Sequence, residues 1–550
     1  MGRLSDNSGS AAIEEPPPET PVQELPAPPS VSAPPPDSLN GINPWVIALT
    51  VMLATFMEVL DTSVANVALP HIAGNLAATI DESTWVLTSY LVSNAIVLPL
   101  AGWFSTLFGR KRFYMICVGT FTLASFLCGM APNLTTLILF RILQGLGGGA
   151  LQPISQAILV ESFPRKKQGM AMAVYGMGVV LAPIIGPTLG GWLTDSYSWR
   201  WIFLINIPVG VLSLVLTGLL VFDPPYLLRR SLQSLHVDYA GLGFIAVGLG
   251  FLEVFLDDGQ RNDWFASHLI VASCAIAAVC LVAAVFWELW VSDPVVNLRL
   301  LKNRSFAVAT GTMFLLGFVL YGSTVLLPIF LQTLMGYNAT LSGLVLSPGG
   351  VVVIFLMPLV GTLVSKVEAR WLVMFGLLVC ALGLFTMAGF DLQIDFRTAM
   401  DARIIQSAGM AFLFVPLNTM AFSSIAKEKA NSATGLINLA RNVGGSAGIA
   451  SVTTLLARRS QYHQNVLVSH LTPGQDNYRA FLDRATHLFI GHGASVPQAA
   501  HQAQGLLYLM VQREASMQAF IDGFWVLGVI FLAIIPIMFV LRPANLKKHV

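Results

Sequence analysis

From Trp45 onwards the chain is a succession of apolar segments, starting near Trp45, Thr84, Arg112, Leu134, Gly169, Trp199, Asp238, Ser267, Ser305, Leu341, Arg370, Thr398, Ala433 and Gln518. Each is roughly 19 to 28 residues long, and about 20 apolar residues are enough for a helix to cross a bilayer with some tilt. Fourteen such segments predict an all-α membrane protein with fourteen transmembrane helices. Composition agrees, with 55% hydrophobic and only 11% charged residues, against about a quarter charged in soluble domains. Little sequence is left for a large soluble catalytic domain. A net charge of +1 and the lack of an extended basic run argue against nucleic acid as a partner. Cys117, Cys128, Cys274, Cys280 and Cys380 all fall inside apolar runs, which gives neither a disulfide framework nor metal-ligand spacing.

The N-terminus differs in kind. Ten prolines lie between Glu14 and Pro36 among Glu, Ser and Ala, a composition that favours solvated, extended chain. Residues 1–44 are therefore expected to be a disordered tail. With an inside N-terminus, the inside loops and the C-terminal tail hold eighteen Lys and Arg, including Arg110, Lys111, Arg112, Lys366 and Arg370, whereas the short outside loops hold three: Arg200, Arg261 and Arg397. Because Lys and Arg are retained on the cytoplasmic side, both termini are expected there.

An internal repeat divides the chain. Arg141-Ile-Leu-Gln144-Gly-Leu-Gly147 in span four matches Arg403-Ile-Ile-Gln406-Ser-Ala-Gly409 in span twelve at an offset of 262. Pro99-Leu-Ala-Gly102 matches Pro358-Leu-Val-Gly361 at an offset of 259. Parallel repeats of six spans are the layout of a two-bundle transporter, with the substrate between halves that rock against each other. The expected organisation is a tail (1–44), an N-terminal bundle (45–222), two inserted spans with linkers (223–304), a C-terminal bundle (305–541) containing a long outside loop (458–517), and a C-terminal tail (542–550).

The stretch Leu60-Asp61-Thr62-Ser63-Val64-Ala65-Asn66-Val67-Ala68-Leu69-Pro70 resembles the span-one signature of the fourteen-span, EmrB/QacA-type drug:proton antiporters of the major facilitator superfamily. Gly102 to Arg112 resembles that superfamily's cytoplasmic motif, Arg141 to Gly149 its span-four arginine motif, and Gly186-Pro187-Thr188-Leu189-Gly190-Gly191 the span-five antiporter motif. Trp199 to Phe203, Asn206, Pro208 and the Asp293-Pro-Val-Val-Asn-Leu run fit the same subfamily, and the later part is closest to its EmrB branch. The likeness runs from about Trp45 to Pro543 and implies a major facilitator fold. It implies a coupling and substrate cavity around Asp61, Thr62, Asn66 and Arg141, and a cytoplasmic gate at Gly102, Gly109, Arg110, Lys111 and Arg112. Two positions depart from the pattern: Thr106 stands where the cytoplasmic motif usually carries an acid, and Glu58 adds a second carboxylate one turn before Asp61.

The residues carry a chemistry of their own. No phosphate-binding Gly-x-x-x-x-Gly-Lys-Ser/Thr loop is present, so an ion gradient is the expected driving force. A carboxylate buried in a span can exchange a proton. Asp61 lies about 24 Å along span one and Arg141 about 10 Å from the outside end of span four, at 1.5 Å per residue, so their depths match and they can pair. A static ion pair that fixes helix packing is the alternative. Glu58, at i−3 from Asp61, either lines the cavity or satisfies a neighbouring helix. Arg441 is expected deep in span thirteen, beside Gly444, Gly445 and Gly448, which permit close helix approach. Arg403, with Asp401 nearby, is expected to snorkel to water near the outside end of span twelve. Glu161, Glu253, Glu288 and Asp522 fall near span ends, which favours interfacial roles. In span five Pro183, Gly186, Pro187, Gly190 and Gly191 allow bending and close packing, either as packing alone or at the interface between bundles.

The nine histidines show no ligand spacing, and no His-Glu-x-x-His or Gly-x-Ser-x-Gly pattern occurs. Neither a metal, a cofactor nor an enzyme activity is expected. The expected function is proton-driven export of amphipathic or cationic toxic compounds across a bacterial inner membrane. Export of a native metabolite such as a siderophore or fatty acid is the alternative within transport, and a membrane receptor or enzyme the alternative of another class. In the loop from Arg458 to Met517, apolar positions at helical spacing and the Ser495-Val-Pro497 helix start predict helices. The resemblance implies that these dock a periplasmic adaptor leading to an outer-membrane channel; mutual covering of the two helices is the alternative.

Overall fold

The computed structural model describes residue 2 and residues 43–539, apart from 165–166, 223–237, 293, 424–429 and 473. The expected N-terminal tail (residues 1–42 of it, save residue 2), the linker after span six and the C-terminal tail lie outside the described residues. So does the side chain of Thr106. Among the described residues all regular structure is helical, as α1 (Pro44–Asn75), α2 (Ile80–Phe108), α3 (Arg110–Gly129), α4 (Leu134–Gly148), α5 (Leu151–Ser162), α6 (Gln168–Ser196), α7 (Trp201–Leu204), α8 (Asn206–Leu220), α9 (Tyr239–Asp258), α10 (His268–Trp290), α11 (Arg304–Thr333), α12 (Ala339–Leu363), α13 (Ala369–Ala388), α14 (Phe396–Ser423), α15 (Ala430–Ser469), α16 (Asp476–Gly491) and α17 (Val496–Met538).

Polar residues in the turns start these helices by accepting from otherwise orphaned backbone N–H groups. The Asn43 side chain accepts from Trp45 N at the head of α1. Thr79 and Glu82 form a capping box on α2, and Asn133, Asn303 and Asn338 cap α4, α11 and α12. Twelve stretches are long and apolar enough to cross a membrane, with α4–α5 and α7–α8 each counted as one span; α6, bent by 43° after Pro183, makes a thirteenth. The bend has a local cause. Pro187 offers no N–H to the carbonyl of Pro183, and Ser63 Oγ of α1 donates to that carbonyl instead at 3.3 Å. The remaining expected span, the thirteenth along the chain, corresponds to α15, whose Asn438, Arg441 and Asn442 keep it below the same test of apolarity.

Helices α1 to α8 form one bundle and α11 to α17 the other. They meet along two seams, α6 against α12 and α2 against α15. On the first seam a Cβ added to Gly169 would stand 2.8 Å from the Gly361 carbonyl oxygen, and Gly343 lies against Thr188 at the other end. The inserted α9 and α10 pack on each other, and α9 lies across the second seam. There Asp257 accepts from Thr88 of α2, while Trp264 Nε1, just beyond α9, donates to Thr454 of α15 at 3.1 Å.

The segment 458–517, expected to be a loop that carries helices, is mostly helix. At 1.5 Å per residue, the 40 residues of α15 and 43 of α17 reach about 60 Å, roughly twice the hydrocarbon thickness. Both are therefore longer than one crossing of a bilayer needs. Arg458 and Arg459 lie within α15, and nothing in their chemistry ends a helix. The short α16 packs on the extension of α17, with Ala485, Ala499 and Ala503 buried between them.

Candidate functional site

Asp61 sits on α1 and is 2% exposed; Arg141 on α4 is fully buried. Arg141 Nη1 donates to Asp61 Oδ2 at 2.5 Å. Gln144, one turn on from Arg141, donates from Nε2 to Asp61 Oδ1 at 2.9 Å, and Asn206 Nδ2 at the start of α8 does so at 2.8 Å. Two helices, α4 and α8, thus deliver three donors to one carboxylate on α1. Arg141 is itself fixed from two sides, through Nε to the Val86 carbonyl at 2.9 Å and through Nη1 to Gln144 Oε1 at 2.8 Å. Its guanidinium lies over the Tyr90 ring, 4.2 Å from the centroid. In so low a dielectric the charge on Asp61 and the placement of Arg141 depend on each other.

Glu58, one turn away on α1 and 4% exposed, faces a different set of partners. Asn94 Nδ2 donates to its Oε1 at 3.1 Å, and the Tyr90 hydroxyl stands 3.4 Å from the same oxygen. Gln152 Nε2 of α5 donates to Oε2 at 2.6 Å. The other end of Gln152 accepts from Arg441 Nη2 of α15. Glu58 is therefore joined through one amide to a buried arginine of the opposite bundle. A second bridge lies one turn along α5, where Gln156 donates to Asn418 at 2.7 Å and accepts from Asn438 at 2.8 Å. Tyr90 connects the two acids, with its ring on Arg141 and its hydroxyl near Glu58.

Other expected residues fall into place differently. Thr62 and Asn66 bond to carbonyls of their own helix, at 2.8 Å and 3.3 Å, and Asn66 is exposed; neither joins the Asp61 network. In the glycine motif of α6, added Cβ atoms on Gly186 and Gly190 would strike Ser63 and Val64 of α1. That close face packs within the N-terminal bundle and not between bundles. The seam with α12 uses other residues of the same helix, Gly169, Gly176 and Thr188. Arg441 is as deep as expected, and Gly444 and Gly448 let α15 press on the Phe314 and Phe318 backbone of α11.

In the expected gate, Gly109 takes φ +83°, a left-handed value open to glycine. Gly102 lies buried within α2, and Arg112 is exposed. Arg110 makes a two-pronged ion pair with Glu161 of α5, its Nη2 donating to Oε1 at 2.8 Å. Glu161 is thus a partner of this motif, not a water-facing acid as its position near a span end suggested. Lys111 Nζ donates to the Gly218 carbonyl at 2.7 Å. Glu253 and Glu288 are buried as well, and Asp522 accepts from Arg459 Nε at 2.5 Å.

Arg403 corrects an expectation most clearly. It does not snorkel to water: it is 2% exposed and donates from Nη1 to Gln406 Oε1 at 2.7 Å. Asp401 points elsewhere, exposed and 4.0 Å from Arg397. Depth along the helix could not reveal this, because burial at Arg403 comes from α12 and α13, which approach α14 at Gly349, Gly376 and Gly383.

Sequence reasoning missed Gln144, Gln152, Asn206 and Tyr90 as members of the site. A signal existed for two of them: Gln144 is part of the repeated Arg-Ile-x-Gln motif, and a buried amide such as Gln152 within an apolar span needs partners.

The comparisons with known proteins agree with this architecture. Residues 51–449 match the family model of the Major Facilitator Superfamily. The chain is 37% identical over 509 residues to the fatty acid resistance protein FarB of Neisseria gonorrhoeae, covering 91% of this chain and 96% of that one. It is 33% identical over 506 residues to the multidrug export protein EmrB of Escherichia coli (strain K12), covering 92% and 96%. Among solved structures, the proton:xylose symporter XylE superposes with a TM-score of 0.58 at 16% identity, over 92% of this chain and 97% of that one, a likeness of fold alone. With its bundles, seams and arginine motifs in family order, the chain belongs to the Major Facilitator Superfamily and is an EmrB-type, multi-pass membrane transporter.

Proposed function

We propose that the chain exports amphipathic or cationic toxic compounds in exchange for protons. The observation that carries this is the buried carboxylate of Asp61, held by Arg141, Gln144 and Asn206 in one bundle while Glu58, one turn away, is tied through Gln152 to Arg441 of the other. A proton on Asp61 removes the charge that holds Arg141, and a cationic substrate arriving near Glu58 or Asp61 competes for the same negative charge. Proton and substrate then exclude each other, which is what an antiporter requires. Release of the Gln152 link between Glu58 and Arg441 frees the bundles to move against each other. Support for a drug-like cargo comes from relatives named as multidrug export proteins. Export of a fatty acid is the second reading, favoured by the relative named for fatty acid resistance.

On this reading the protein lies in a bacterial inner membrane with fourteen spans, α15 among them, and with both termini cytoplasmic. The projecting α15–α16–α17 helices support docking of a periplasmic adaptor that hands substrate to an outer-membrane channel. Their inner faces cover each other at Ala485, Ala499 and Ala503, yet Leu488, Tyr508, Leu509 and Met510 stay exposed, an apolar surface that needs a partner outside lipid. Two experiments test these readings. Asp61→Asn should insert normally and lose pH-gradient-driven uptake in inside-out vesicles; undiminished uptake rules Asp61 out as the coupling group. Replacing residues 462–512 by a flexible linker should spare vesicle transport and abolish both adaptor co-purification and whole-cell resistance. Retained adaptor binding rules the helices out.

A further inference from the structure

We infer that the cluster around Arg403 is a subsite for a monovalent anion, the carboxylate of an amphiphilic substrate or a halide. Among the described residues four buried arginines lie in the bundles, and three of them have acids within reach: Arg110 pairs with Glu161, Arg141 pairs with Asp61, and Arg441 joins Glu58 through Gln152. Arg403 has no carboxylate partner among the described residues.

Arg403, Gln406 and Ser407 occupy positions i, i+3 and i+4 of α14 and so share one face. All three side chains are at least 98% buried. Arg403 Nε, Gln406 Nε2 and Ser407 Oγ have no hydrogen-bond partner. A guanidinium N–H, an amide N–H and a hydroxyl on one helix face make a donor set with a net charge of +1, which suits one negative charge and disfavours cations. A buried cation without a counter-charge is strongly disfavoured, and an anion on these donors relieves that. Gly349 of α12 runs past this face, where an added Cβ would strike Ser407 Oγ and stand 3.4 Å from Arg403 Cγ.

The molecule contains its own precedent for the ligand. Arg141 and Gln144 stand seven and ten residues into α4, as Arg403 and Gln406 do in α14. Their internal bonds are alike, at 2.8 Å and 2.7 Å. In the first copy the glutamine amide N–H and a guanidinium Nη1 grip the Asp61 carboxylate, while Arg141 Nε serves the Val86 carbonyl; in the second the matching amide N–H and the Arg403 Nε have no partner and are left for a carboxylate or halide from outside the chain.

The inference rests on the export reading only in calling the carboxylate a substrate group, and its test needs no transport. Full-length protein in detergent is heated in a buffer whose anion is a large sulfonate, with added chloride, benzoate or neutral benzamide. The wild type should show a saturable rise in transition temperature with benzoate, chloride or both, and none with benzamide. Arg403→Met should lose that rise, and Ser407→Ala should weaken the apparent affinity several-fold. A response to benzoate alone assigns the site to a substrate carboxylate, and a response to chloride assigns it to a halide as well. A wild type indifferent to both anions, or an Arg403→Met protein that responds as the wild type does, overturns the proposal. If Arg403→Met does not fold, an unchanged affinity in Ser407→Ala overturns it. Since no gradient is involved, a negative result leaves the Asp61 mechanism standing, and a failure at Asp61 leaves this one standing.

Discussion

The arginine motif occurs once in each bundle, and the two copies share their local geometry while differing in what completes them. In α4, Arg141 and Gln144 meet Asp61 from α1 and Asn206 from α8. In α14, Arg403 and Gln406 meet each other and, among the described residues, no acid. Local sequence therefore sets the Arg–Gln pair, and distant helices decide whether it becomes an ion pair. On the proposed reading, the chemistry of coupling belongs to the copy with the carboxylate.

The sharpest way to break this comparison is to delete each arginine in turn. Arg141→Leu strands Asp61 in the interior, and breaking a buried pair from one side costs about 3–5 kcal/mol. Arg403→Leu removes a charge that has no partner and should be neutral or stabilising by about 1–4 kcal/mol in anion-poor buffer. Thermal unfolding in detergent reads both, and equal losses would dissolve the distinction.

A smaller effect is expected at the glycine face of α6. Gly190→Leu places a side chain where even a Cβ stands 2.8 Å from Val64 Cγ1, and overpacking of this kind costs roughly 1–3 kcal/mol. Because α1 carries both Glu58 and Asp61, transport should be lost at normal expression. Wild-type transport rates in this variant would mean that the register of α1 against α6 does not matter.

The smallest expected effect is at the bridge between bundles. Gln152→Leu leaves Glu58 its Asn94 bond but cuts the link to Arg441, a loss of about 1–3 kcal/mol. Distances between spin labels on α5 and α15 should broaden towards separated bundles. An unchanged distribution would mean that the bridge carries no strain between the halves.

Much of this was legible from sequence because membrane burial forces long apolar runs and makes each charge inside them conspicuous. Asp61 and Arg141 stood out in that way, and their depths, counted at 1.5 Å per residue, already matched. The repeat of Arg141-Ile-x-Gln144 at Arg403 announced two bundles. What stayed hidden depended on packing between distant segments. Gln152 lies 289 residues from Arg441, and nothing near either residue marks the contact. The charges at Arg458 and Arg459 do not mark where α15 ends, since arginine is a good helix former. Arg403 looked free to reach water because its cover comes from glycines of α12 and α13.

The central claim is that Asp61 gives up a proton when substrate binds. Purified protein in lightly buffered detergent solution, titrated with a cationic export substrate, should release protons in the wild type, and Asp61→Asn should bind the same substrate with no release. Proton release of wild-type size from Asp61→Asn would contradict the account.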